Sequence, residues 1–381
     1  MEFDMTWLLW GLPLAFAAGW FASRLDLRQL RIHRQHAPKA YFRGLNHLLN
    51  EQKDQAIDAF IEAVQGDPDT AELHFALGNL FRRRGDYDRA VRVHEHLLAR
   101  ADISGKDRAR AQYALAMDFL KAGLLDRSET ALHKLEGTSF EIEALIALLT
   151  IYERSRDWSR ARDVALKLEA TQPGSFAQRL AHYLCEEAEL QNRNGHADMS
   201  LLLLNQAIEQ APQMPRAWLA RSTLLVQLGQ AEAAFADLLS LAQQAPQGIP
   251  LAAPVLVQQA RVIGRESDAR ALLEASDTRS PSLDVTEALA DLSPDEQTRR
   301  ECYLNHLQRE PSLVVAARWL TGETLSDPNA QQTVNAALEQ ASAPLQRYRC
   351  AACSFESRQY FWQCVGCQGW DTYPTRRIEE I

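Results

Sequence analysis

The chain carries none of the short motifs that usually build a reaction centre. It has no P-loop, no HExxH pair, no GxSxG elbow and no glycine-rich phosphate cradle. Its ten histidines are scattered; the closest two, His94 and His96, stand two apart and leave a helix on different sides. The chain is therefore read as a non-enzyme. Strand-like alternation is missing from residue 37 to about 310, which excludes a sheet-based middle. Basic excess is missing too. Lys and Arg number 41 against 50 Asp and Glu, a net charge of -9, which disfavours nucleic acid as the main partner because phosphate binding needs a basic face. Cysteine is scarce, at six, and four of these crowd together between Cys350 and Cys367.

What is present is ordinary globular composition, 46% hydrophobic and 24% charged, in 381 residues that suffice for two or more domains. Met5 to Ala22 reads MTWLLWGLPLAFAAGWFA, without a charge. As a helix it spans about 27 Å, close to a hydrocarbon core of about 30 Å. Trp7 and Trp10 near one end and Trp20 near the other suit the two interfaces, and Pro13 is tolerated in a membrane helix. Glu2 and Asp4 precede the segment; Arg24, Arg28, Arg31, Arg34, Lys39 and Arg43 follow, opposed only by Asp26. That asymmetry puts the body of the chain in the cytoplasm. A cleaved signal peptide would need a basic start and a clean cleavage site, and neither is here.

The middle has internal periodicity. Gly44 and Gly78 are 34 apart, and so are Ala56 and Ala90. The run Gly85-Asp-Tyr-Asp-Arg-Ala90 is echoed by runs ending at Ser128, Ala161, Ser200, Ala234 and Ala269, which advance by 38, 33, 39, 34 and 35. Pro68, Pro173, Pro212 and Pro246 punctuate the ends. A glycine and a short polar stretch turn the chain between antiparallel helices, the small residue lets them approach, and proline stops the second helix. The pattern resembles the tetratricopeptide repeat, with Trp218, Leu225, Ala234, Leu238 and Pro246 among its better copies. Six copies are clear, and the signature fades after residue 280. Such stacks present a groove to a protein partner. Asn46, Asn79 and Arg82, on the first helix of a pair, are its candidate lining.

At the C-terminus, Cys350-Ala-Ala-Cys353 and Cys364-Val-Gly-Cys367 give C-x2-C-x10-C-x2-C. Four thiolates on two tight turns close a tetrahedral site around one ion, zinc or iron. Gly366 is expected to give the second turn backbone freedom. Four cysteines leave no open position, so the ion is read as structural. The aromatics Tyr348, Phe355, Tyr360, Phe361, Trp362, Trp370 and Tyr373 add bulk, but a module this small needs the metal in order to fold. Two rival roles are a nucleic-acid-binding ribbon using Arg347, Arg349, Arg358, Arg376 and Arg377, and an iron electron carrier. Cys185 and Cys302 are expected to be buried small hydrophobes.

An N-terminal span, a basic run, degenerate repeats and a terminal rubredoxin-like knuckle together resemble the lipopolysaccharide assembly protein B family of Gram-negative bacteria. Leu77-Gly-Asn-Leu-Phe-Arg-Arg-Arg-Gly85, Tyr348-Arg-Cys-Ala-Ala-Cys-Ser-Phe355 and Phe361-Trp-Gln-Cys-Val-Gly-Cys-Gln-Gly-Trp370 carry the resemblance. Ser354 and Val365 depart from the glycine and proline common at those positions. The resemblance implies an all-α tetratricopeptide superhelix with one transmembrane helix (1–23), a basic juxtamembrane segment (24–36), a repeat array (37–343) and a rubredoxin-like domain (344–381). It implies a single-pass adaptor of the inner membrane, most of it cytoplasmic, that regulates lipopolysaccharide biosynthesis by promoting degradation of the deacetylase LpxC by the protease FtsH. Cys350, Cys353, Cys364 and Cys367 would bind the metal, and a homodimer is left open.

Overall fold

The computed structural model describes residues 52–66, 71–171, 176–323 and 327–381, with a few isolated positions before them. Among the described residues no helix is long and apolar enough to cross a membrane. The expected anchor, residues 5–22, falls outside them apart from Phe16, Ala17 and Trp20, and so does the basic segment 24–36. The chain divides into two compact units, Met1–Arg156 and Asp157–Ile381.

The first unit is a run of helices: α1 (Lys53–Gly66), α2 (Ala71–Arg84), α3 (Tyr87–Ala99), α4 (Gly105–Lys121), α5 (Leu125–His133) and α6 (Glu141–Ser155). Each packs on the next, and α2 also touches α4, the arrangement of stacked helical hairpins. The spacing of the two glycines has a steric cause. A Cβ on Gly44 would meet the Phe60 ring at 2.9 Å, and one on Gly78 would meet the His94 ring at 2.5 Å. Phe60 and His94 are themselves 34 apart. Each glycine is the socket for a ring from the following helix, and Ala56 and Ala90, both fully buried, close the same contact.

The second unit continues with α7 (Trp158–Thr171), α8 (Ala177–Arg193), α9 (Ala197–Gln210), α10 (Pro215–Gln227), α11 (Ala231–Gln244), α12 (Ile249–Ile263) and α13 (Glu266–Arg279). It ends with α14 (Leu283–Asp291), α15 (Glu296–Arg309), α16 (Leu313–Thr321), α17 (Pro328–Ser342) and a two-stranded ribbon, β1 (Tyr348–Arg349) and β2 (Glu356–Ser357). Its core centres on Phe235, Leu238, Leu241, Met214, Leu256 and Leu273. Trp218 packs into it and donates its indole N–H to the Pro212 carbonyl at 2.9 Å. The signature fades after residue 280 because α14 and α16 shorten to nine residues. Side-chain caps then replace glycine turns: Asp295, Ser312 and Asp327 accept the first amides of α15, α16 and α17.

Elsewhere one turn recurs. Asp86, Leu124, His196, Gln230 and Arg265 each donate their amide to the carbonyl five residues earlier, and the preceding glycine is left-handed each time. The copy at Arg156 keeps the left-handed conformation, φ 57°, with a β-carbon. Arg156→Gly is expected to stabilise the first unit by up to about 1 kcal/mol, read as a raised thermal midpoint. A midpoint that stays or falls would show that no strain resides at this turn.

Candidate metal centre

The ribbon is two copies of one turn, the first beginning at Cys350 and the second at Cys364. Ser354 N–H donates to the Cys350 carbonyl at 2.9 Å, and Gln368 N–H to that of Cys364 at 2.8 Å. Cys350 N–H donates to the Phe355 carbonyl, and Cys364 N–H to that of Gly369. Tyr348 pairs with Ser357 and Arg349 with Glu356; Gln363 bridges Trp370 in the equivalent place. Ser354 and Gln368 both have φ 61°, so Ser354 occupies a left-handed position that a glycine would suit. Gly366, expected to be needed for its dihedral freedom, does not have a positive φ. It is needed for space: a Cβ there would lie 3.3 Å from Cys353 Sγ and from Phe355 Cβ.

These turns bring Cys350, Cys353, Cys364 and Cys367 together, with all four Sγ atoms within 4.8 Å of one another. Cys350 and Cys367 sulfurs are 3.8 Å apart, and those of Cys353 and Cys364 are 3.7 Å apart. A tetrahedron with metal–sulfur bonds of about 2.3 Å has edges of about 3.8 Å, whereas a disulfide is about 2.0 Å. The cluster therefore fits one tetrahedral ion. Burial pushes the Cys350 thiol up, but the Thr372 hydroxyl and the Cys353 and Ala352 amides outweigh it and bring it to about 6. Cys364 is likewise lowered: burial opposes, and the amides of Cys367 and Gly366 prevail. For Cys353 the Phe355 amide favours the thiolate, but burial and the three neighbouring sulfurs outweigh it and push the thiol up to about 12. Four crowded sulfurs resist full deprotonation unless a cation shares the charge.

The module is fastened to the second unit at two places. Trp370 stacks on the buried His182 ring with centroids 4.5 Å apart and meets Trp158 and Tyr183 edge-on. Asp371 Oδ2 lies 2.8 Å from His182 Nε2. On the other side of that ring, Arg216 lies 3.3 Å from Nδ1 and donates to Glu186 at 2.6 Å. Burial holds the His182 imidazole below its ordinary range, against the pull of Asp371. At the second place, Arg377 grips Asp284 with two bonds of 3.0 and 2.6 Å. The Glu379 carboxylate accepts from the first amides of α16, at Leu313 and Val314, and from Ser312 Oγ. Glu380 accepts from Leu283 N–H, at the start of α14. Two acidic side chains thus sit on two positive helix ends.

The remaining sequence candidates are not part of this centre. Asn46 is exposed. Asn79 and Arg82 bond to each other, and Arg82 also donates to the Ala114 carbonyl and to Asp118 Oδ1, both at 3.0 Å. Asp118, which sequence reasoning missed, is fully buried and also meets His94 Nδ1 at 2.5 Å. Its signal was a lone carboxylate inside the apolar run Ala114-Leu-Ala-Met-Asp-Phe-Leu120. Cys185 is buried, and Cys302 is half-buried beside Ser293.

The family described as rubredoxin metal binding domain matches residues 348–373, and the tetratricopeptide repeat matches residues 73–109 and 185–249. Lipopolysaccharide assembly protein B of Escherichia coli strain K12 is 28% identical, over 97% of this chain and 98% of its own. The Haemophilus influenzae protein of the same name is 25% identical, over 95% and 96%. Among solved structures, a tetratricopeptide repeat protein from Parabacteroides merdae matches 68% of this chain and 98% of its own, at 15% identity and a TM-score of 0.36, too loose a likeness to bear on function. Repeats and cage together define a tetratricopeptide-repeat protein with a C-terminal rubredoxin-type metal-binding domain. Within that class, the chain is similar over nearly its whole length to lipopolysaccharide assembly protein B.

Proposed function

We propose that the chain is a non-catalytic adaptor that regulates lipopolysaccharide biosynthesis by promoting FtsH-dependent degradation of LpxC. Residues 5–22 hold it in the inner membrane, with the bulk of the chain on the cytoplasmic side. The observation that carries this reading is the fastening of the metal module to the repeats through Trp370, Asp371 and the Arg377–Glu380 tail. A module locked in this way offers partners one continuous rigid surface, as an adaptor requires. Cys350, Cys353, Cys364 and Cys367 hold the ion, and zinc suits them best: Cys353 and Cys367 are exposed, where a redox-inert ion is the more durable. Four of the five arginines that a nucleic-acid ribbon would need have partners within the chain. Arg347 and Arg349 pair with Glu356, Arg376 bonds Ser280, and Arg377 pairs with Asp284.

In cells, deleting the chain is expected to lengthen the half-life of LpxC severalfold. Restoring the full chain should reverse this, and a version lacking residues 1–23 should do so poorly. An LpxC half-life indifferent to the whole chain would end the adaptor reading.

A further inference from the structure

The second unit holds a cavity of about 430 Å³ where α16 and α17 meet the metal module. Three arginines and one acid line it: Arg318 from α16, Glu339 from α17, and Arg358 and Arg377 from the module. Two of the arginines already have counter-ions. Arg377 is clamped on Asp284, donates to the Gln346 carbonyl at 2.8 Å and stacks over the Tyr348 ring at 4.1 Å. Arg318 gives its Nε to Glu287 of α14 at 3.2 Å, which leaves its two terminal nitrogens free for a ligand. Arg358 is different: it is exposed and has no partner among the described residues. The Glu339 carboxylate is exposed and has none either. These two share one cavity yet do not pair with each other. The Asn335 and Gln346 side-chain amides, half-buried in the same lining, also lack partners among the described residues. One unmatched cation, one unmatched carboxylate and two idle amides thus converge on a cavity of small-ligand size.

We propose that this cavity binds a small soluble zwitterion, with a phosphate monoester at one end and a primary ammonium at the other. Arg358 and the free nitrogens of Arg318 take the phosphate, and Glu339 takes the ammonium. Asn335 and Gln346 meet the polar atoms in the middle of the molecule. Two guanidinium forks offer more donors than the two coplanar oxygens of a carboxylate can accept, whereas the three terminal oxygens of a phosphate monoester can be shared between them. Arg377, held by Asp284, adds positive charge to the wall without having to move. Because the lining comes from the last two repeat helices and from the module, an occupant ties one to the other and stabilises both by mass action. The inference goes beyond the adaptor reading and does not depend on it, since binding is measured on the purified chain.

The test uses the full, metal-loaded chain in detergent and titration calorimetry with three probes. These are glucosamine 6-phosphate, glucose 6-phosphate, which lacks the amine, and glucosamine, which lacks the phosphate. Glucosamine 6-phosphate should bind at least about tenfold more tightly than either of the others, the usual range for one hydrogen bond to a charged group. Arg358→Ala should weaken it about tenfold or more and erase its advantage over glucosamine. Glu339→Gln should erase its advantage over glucose 6-phosphate, while glucose 6-phosphate itself binds that variant no more weakly than it binds the parent. Both side chains are exposed and unpartnered, so the zinc content and thermal midpoint of each variant should match those of the parent. Glucosamine 6-phosphate should raise the thermal midpoint of the parent and leave that of Arg358→Ala where it was. A lipid source is tested with O-phosphoethanolamine against dihexanoylphosphatidylethanolamine, which carries the same two charges on a phosphodiester. Weaker binding of the lipid supports the soluble monoester; tighter binding of the lipid overturns it in favour of a headgroup. No binding, equal affinity for the three sugars, or an advantage that survives both substitutions overturns the proposal outright.

Discussion

Replacing Cys350 and Cys353 with serine, or removing the ion with a chelator, should unfold residues 348–381 and leave the repeat helices largely formed. The buried core of this module is little more than Tyr348, Cys350, Cys364 and Tyr373. So small a core cannot offset the entropy of ordering the whole ribbon and tail, whereas a structural zinc site supplies on the order of 10 kcal/mol. The loss then spreads in a defined order. Trp370 leaves His182, Arg377 leaves Asp284, and Glu379 and Glu380 leave the helix starts at Leu313, Val314 and Leu283. The second unit should consequently melt earlier than the first. Elemental analysis of the parent should give one zinc per chain, and limited proteolysis of the double variant should show new cleavage beyond residue 343. Metal retained by the variant, with an unchanged cleavage pattern, would mean that the cage does not carry the folding of this module.

The sequence displayed the spacing of features more readily than their causes. Gly44 and Gly78, Ala56 and Ala90, and the recurring turn were visible as a period. That each glycine receives a ring from the next helix needed Phe60 and His94 in place. The knuckle could be read because four thiolates around one ion leave few arrangements; its attachment could not. Trp370 reads as one more aromatic in a small module, and nothing local links it to His182, far back along the chain on α8. The terminal Glu379-Glu380 looks like a solvated acidic tail, yet it caps helices that lie well before it in the chain. The last hairpins were obscured because α14 and α16 are too short to carry the full signature. The interactions that hide from a single sequence are those whose two partners stand on distant stretches of it.

Asp118→Ala should cost the first unit about 3 kcal/mol, because it removes the shared partner of two other polar groups in a dry interior. Asp118 and His94 are both fully buried, and Arg82 is mostly so. His94 cannot turn toward water, since its ring lies against Gly78, where even a β-carbon would collide. Its Nε2 already lacks a partner, so loss of Asp118 would leave both ring nitrogens unpaired in the core. Arg82 would keep only the Ala114 carbonyl and Asn79, and its charge would stand uncompensated. Asp118→Asn, which keeps the shape and one acceptor, should cost roughly half as much. Because the three side chains act as a set, Asp118→Ala and His94→Ala should together cost clearly less than the sum of each alone. Chemical unfolding of the parent, both single variants and the double variant measures this directly. Additive costs, or a loss below about 1 kcal/mol for Asp118→Ala, would mean that Arg82 is held on its helix by packing and not by the buried carboxylate.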